Sequence, residues 1–125
     1  MDEHKLVVYG RRPWTTNQER KKGSHYVRSE QTKWWREAFE LAAIEAGIPH
    51  FESAVIHVTP ILPDRKVQDT GACYPTAKAA IDGLVDAGVL DDDSPKYVPT
   101  ITFHAPVLSN YAGLEVLIIP EKTNE

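Results

Sequence analysis

Carboxylates crowd one stretch of the 125-residue chain: Asp69, then Asp82 and Asp86, then the run Asp91-Asp92-Asp93, with Lys78 among them. Two or three carboxylates, together with waters and a phosphate oxygen, form the shell that Mg2+ accepts. Such an ion activates a water and neutralises charge building on a phosphodiester, and a nearby lysine offsets phosphate charge. The competing reading is a solvated acidic turn after a helix, with a snorkelling lysine at the helix edge. Glu115 interrupts an apolar stretch and is either a solvent-facing strand residue or a buried ligand.

Other chemistries find less footing. His4, His25, His50, His57 and His104 form no HxxxH or HxH pair, so each reads as a surface or sheet-face residue. Cys73 precedes a helix, where a thiol can be acidified, yet it reads as a small buried residue. As the only cysteine, it excludes a disulfide scaffold and a multi-cysteine zinc site. There is no P-loop and no GxGxxG.

The formal charge of −4 argues against a nucleic-acid partner, but its distribution argues for one. Residues 1–36 carry nine Lys or Arg against four Asp or Glu, a net of +5, and the remainder carries five against fourteen, a net of −9. Arg11, Arg12, Arg20, Lys21, Lys22, Arg28, Lys33 and Arg36 form the basic cluster, interleaved with Tyr9, Trp14, Tyr26, Trp34 and Trp35. Basic residues neutralise phosphates, and aromatics stack on unpaired bases. The alternative is a solvated loop with ordinary helix surface charge.

These groups need elements to hold them. Leu6–Tyr9 reads as a short strand, and residues 10–28 as a long basic loop containing Pro13 and Gly23. Ser29 is a plausible N-cap for a helix with an apolar stripe at Trp35, Ala38, Phe39, Ala42 and Ala46, stopped by Gly47 and Pro49. Ser53–Thr59 alternates as a strand, ended by Pro60 and Pro63. A second helix covers residues 74–87, with Pro75 in its first turn and Gly88 after its end. Tyr97–His104 and Gly113–Ile119 read as two further strands paired in a hairpin. The order β-α-β-α-β-β predicts a single α/β (α+β) domain with one mixed sheet and helices packed against it. An apolar content of 42% suffices for one core. No apolar run reaches the roughly 18–20 residues of a membrane span, and Met1-Asp-Glu-His-Lys is no signal peptide, so a cytoplasmic protein is expected. A helix of about 14 residues is roughly 20 Å long, so Asp69 and the Asp91–Asp93 turn meet only if the chain folds back along it.

The segment 69–98 carries a resemblance. Lys78-Ala-Ala-Ile-Asp82-Gly-Leu-Val-Asp-Ala-Gly88-Val-Leu-Asp-Asp92-Asp93-Ser-Pro-Lys-Tyr-Val98 resembles the RusA family of Holliday junction resolvases. That family shows an acidic motif before a helix, a lysine on the helix, Ala-Gly, then paired aspartates. Arg12-Pro13-Trp14, Asn17, Trp35-Arg36 and Gly113-Leu-Glu-Val resemble the rest of it more loosely. The resemblance implies that Asp69, Asp92 and Asp93 bind Mg2+, with Mn2+ as a substitute, and that Lys78 supports hydrolysis of DNA phosphodiesters. It implies a homodimer that nicks opposed strands of branched DNA, the four-way junction of recombination and repair. Many members are phage-encoded, which would place the protein in a host cytoplasm. On this reading Arg11, Arg12, Asn17, Arg20, Lys21, Lys22 and Arg36 contact DNA, and Trp14 wedges at the branch point. The chain departs from the family's Asp-x-Asp-Asn motif: Asp69-Thr-Gly71-Ala72 lacks the second aspartate and the asparagine, and Lys78 follows about one helical turn later. Glu115 or Asp91 is the preferred substitute for the missing carboxylate, ahead of Asp82. A non-catalytic junction-binding protein of the same descent is the alternative, and an unrelated α/β interaction domain a third.

Overall fold

The computed structural model describes residues 3–19, 25–64 and 68–121. In chain order these form β1 (His4–Tyr9), α1 (Thr16–Glu19), α2 (His25–Ala46), β2 (Ala54–Leu62), α3 (Tyr74–Asp86), β3 (Ile101–Phe103), β4 (Val107–Leu108) and β5 (Gly113–Pro120). One mixed sheet runs β1-β5-β2-β3, with β4 also on β2. β5 is antiparallel to both β1 and β2, whereas β3 and β4 run parallel to β2.

Strand alternation sorts the side chains by face. Leu6, Ala54, Ile56, Val58, Leu114, Val116 and Ile118 are buried, and they share one core with Trp35, Phe39 and Ala43 of α2 and Ala77, Ala80, Ile81 and Leu84 of α3. Fully burying a Leu, Ile or Phe contributes about 1.5–3 kcal/mol, so this shared face is the main stabiliser. The helices press closely together. A Cβ on Gly83 would meet the Arg36 carbonyl oxygen at 2.3 Å, so the contact between α2 and α3 requires glycine there.

The two final strands are not a hairpin. β3 lies beside β2 on one flank, and β5 inserts between β2 and β1 on the other. The near-continuous apolar pattern of β5 reflects its two faces: Leu114, Val116 and Ile118 are buried in the core, and Leu117 and Ile119 are half-buried on the other face. The expected strand from Tyr97 shortens to three residues, although Tyr97 and Thr100 still accept hydrogen bonds from the Ala54 and Ile56 amides. β2 also runs on through Pro60 instead of ending there. The amides of Ala54 and Ile56 point toward the β3 flank, so the missing N–H of Pro60 falls on that flank as well. It lies where β3 has ended and β4 has not begun, and a proline is tolerated at such an interruption. α2 begins at His25, four residues before Ser29. Its first turns are exposed and need no apolar periodicity, so the stripe carries no signal of them.

Candidate functional site

α3 ends in a Schellman turn. The Val89 amide bonds the Leu84 carbonyl at 3.0 Å and the Gly88 amide bonds the Val85 carbonyl at 3.0 Å, with Gly88 at φ +84°. The turn drives Val89 and Leu90 into the core and sends the following acidic segment back along the helix. Asp93 thereby reaches Lys78, two turns before the helix end, and the two form an ion pair. Lys78 Nζ also donates to Asp82 Oδ1 at 2.8 Å, one turn along the same face. Asp82 and Asp92 both lie near Asp93. The result is a partly exposed centre in which two carboxylates, Asp82 and Asp93, hold one ammonium.

The electrostatics follow from that geometry. Burial opposes the charge on Lys78, but the hydrogen bonds it donates to Asp82 and Asp93 outweigh this and raise its pKa. The Lys78 ammonium holds Asp93 below the usual carboxylate range against the opposing effect of burial. Cys73 follows burial: its thiol is pushed up to about 11, so it is no activated nucleophile.

Asp69 stands elsewhere. With Arg12, Thr15, Asn17, Gln18, Gln68 and Ala72 it lines a polar cleft of about 240 Å³ at the approach to α3. Among the described residues, no three His, Cys, Asp or Glu side chains gather closely enough to hold one ion. The expected trio of Asp69, Asp92 and Asp93 is therefore split between two places, with Asp92 and Asp93 in one and Asp69 in the other.

Neither preferred substitute for the missing carboxylate joins the cluster. Asp91 Oδ1 pairs with His50 Nε2 at 3.0 Å. Glu115 alternates with buried Leu114 and Val116, so it leaves the sheet on the face opposite the helices, with Lys5 Nζ 3.8 Å away. Asp82 is the carboxylate that joins Asp93. Its signal in the sequence is the four-residue spacing from Lys78, although that spacing sets Asp82 farther along the helix, at the edge of the site.

Three of the basic residues, Arg11, Arg12 and Arg36, are already engaged. Arg11 Nη1 donates to both Glu30 carboxylate oxygens at 2.8 Å, and its guanidinium lies 4.5 Å from the Trp34 ring centre. Arg12 pairs with Asp64 at 3.0 Å. Arg36 forms a two-pronged bond to Asp86, at 2.6 and 2.9 Å, which ties α2 to α3. Arg36 thus serves the helix contact in this conformation. Asn17 is exposed at the Asp69 cleft. Arg20, Lys21 and Lys22 lie outside the described residues. Trp14 is 7% exposed, and its carbonyl accepts the buried Thr76 hydroxyl at 2.7 Å. Its ring is packed into the protein, so it is not presented as a wedge for a DNA branch point.

Fold and cluster together define a small α+β domain with a carboxylate–lysine centre on the helical side of a mixed sheet. No family model matches the chain, and no curated protein matches it significantly. No helix among the described residues is long and apolar enough to cross a membrane.

Proposed function

We propose that the chain is a Mg2+-dependent, structure-specific endodeoxyribonuclease. It would act as a homodimer on four-way DNA junctions, in the cytoplasm of its own cell or of a phage's host. The observation that carries this reading is the return of Asp93 onto Lys78 beside Asp82 and Asp92. A nuclease of the resolvase kind needs that fold-back, and an incidental acidic turn does not.

Mg2+ usually takes one or two protein carboxylates and completes its shell with waters and phosphate oxygens. Asp92 and Asp93 suffice as those donors, so the chemistry of the donor set fits the ion without a third carboxylate. When bound, the ion supplies an activated water and charge neutralisation at the phosphodiester. Lys78 has three N–H donors, of which Asp82 and Asp93 take two. The third is available to a phosphate oxygen, where it opposes the negative charge that grows during cleavage. Asp82 holds the lysine in that position. Arg11 and Arg12 are paired to partly exposed carboxylates, and such pairs are worth only about 0–1 kcal/mol, so a phosphate can displace the carboxylate.

A second reading, a junction-binding protein without nuclease activity, is favoured by one observation. Gly71 and Ala72 bring no carboxylate to Asp69, and Asp69 sits with Arg12 and Asn17 instead of with Asp93. A labelled four-way junction separates the two. Paired symmetric nicks with Mg2+ or Mn2+, lost in Asp93→Asn while binding survives, are the expected result. Binding without nicks selects the second reading. Failure to bind at low salt overturns both.

A further inference from the structure

Two histidines meet on the face of the sheet that the carboxylate centre does not use. His57 lies in the middle of β2 and alternates with buried Ile56 and Val58, so its ring leaves the sheet away from the helices. Its backbone partner is Thr102 of β3. His104 comes two residues after Thr102, in the gap between β3 and β4, with its amide on the Val58 carbonyl at 2.9 Å. Nδ1 of His57 and Nε2 of His104 are 2.8 Å apart, with ring centres 5.1 Å apart and planes 23° from parallel. Each ring aims a nitrogen at the other, and one shared proton accounts for the contact.

A dication can be held by the same two nitrogens once His104 turns out of line with His57, since the proton lies on the line between them and a metal bound to both lies off it. Bonds of about 2.0–2.1 Å from one metal to two imidazole nitrogens, at angles between square and tetrahedral, require the nitrogens roughly 2.9–3.3 Å apart. The observed separation is short of that range by a few tenths of an ångström at most. His104 is exposed, so a turn of its ring opens the pair at little cost. The ligand type also selects the ion: imidazole suits zinc, nickel and copper, whereas carboxylate oxygens suit magnesium.

The location gives such an ion something to do. Pro60 donates no hydrogen bond to the β3–β4 flank, so the backbone ladder between β2 and that edge is interrupted there. His57 and His104 face each other on this flank just before the interruption. We infer that His57 and His104 form a two-histidine clamp for a late first-row divalent cation, tying β2 to the β3–β4 segment beside the break in the edge, independently of the carboxylate centre. Waters complete the coordination, because Glu115, the acid on the same face of neighbouring β5, is positioned beside Lys5.

The test uses the untagged full chain titrated with Zn2+, Ni2+ or Cu2+ alone. One equivalent should bind, Cu2+ should show electron-spin couplings from two imidazole nitrogens, and binding to the folded chain should raise the melting temperature. His57→Ala and His104→Gln should each weaken binding by at least about tenfold, since loss even of an outer partner of a metal site costs that much. His50→Ala, which leaves the pair intact, should bind as the natural chain does. Equal affinity in the His57→Ala, His104→Gln double variant overturns the inference, as does coupling to a single imidazole. Because exposed His104 contributes little packing, His104→Gln keeps the fold, and its unchanged melting temperature without metal verifies this.

Discussion

The carbonyl oxygen of Arg36 lies 2.3 Å from where a Cβ on Gly83 would stand, with the Glu40 amide nitrogen at 3.0 Å. The backbone of α2 fills the space a side chain would need, and backbone does not move aside as a flexible side chain does. Gly83→Ala should therefore lower stability by about 1–3 kcal/mol, the usual cost of overpacking, despite alanine's better helix propensity. A urea midpoint that falls with an unchanged slope is the expected readout. A midpoint equal to that of the natural chain would mean that α2 and α3 part freely.

Thr76 carries the tether that holds the Trp14 segment against α3, through its buried hydroxyl and the Trp14 carbonyl. Thr76→Val keeps the shape and removes the donor, leaving a buried carbonyl unsatisfied. The cost should be about 1–3 kcal/mol. Amide exchange should also quicken around residues 13–18, and protection equal to that of the natural chain there would refute the tether.

Acid should act through Asp93 and Asp86. Lys78 lowers the pKa of the first and Arg36 that of the second. A carboxylate with a depressed folded-state pKa contributes stability that is complete above its unfolded value of about 3.9 and lost as pH falls toward the folded value. Unfolding free energy should thus be flat near neutrality and decline below about pH 4. Asp86→Asn should cost at most about 1 kcal/mol near pH 7, because the pair is partly exposed, and less with added salt. The gap between variant and natural chain should close at low pH, and a gap that widens would reverse the sign argued here.

Cys73 is 1% exposed and its thiol is pushed up by burial. In native buffer at pH 8 it should react with a thiol reagent orders of magnitude more slowly than in denaturant, since the thiolate is the reactive form and access is closed. Comparable rates in the two states would show that the start of α3 opens readily.

On the proposed nuclease reading, Asp82→Asn should lower junction cleavage by about 10²-fold or more, the scale of losing one preorganised electrostatic partner. Asp91→Asn and Glu115→Gln should cleave normally, since His50 and Lys5 are their neighbours. Loss with Glu115→Gln equal to that with Asp82→Asn would contradict the placement of the cluster on the helical side.

Local pattern was legible where one physical rule governed a segment. Period-two burial marked β2 and the apolar run marked β5, the stripe through Trp35 and Phe39 marked α2, and Pro75 and Gly88 bracketed α3. Lys78 and Asp82 share a helix face by spacing alone, and the charge division between residues 36 and 37 is a plain count. None of these rules acts between segments far apart in the chain. Whether Asp93 returned to Lys78, whether Asp69 followed it, and which face Glu115 took depended on a helix-ending turn and on strand register. By type and position Arg36 suits a phosphate, yet Asp86, fifty positions away, holds it in the fold. His57 and His104 had no pairing motif, because what brings them together is parallel pairing of β2 with β3 across a gap. Composition and periodicity define elements by local energetics, whereas a site made from distant residues depends on packing, which settles register and chain reversal only once the core has formed.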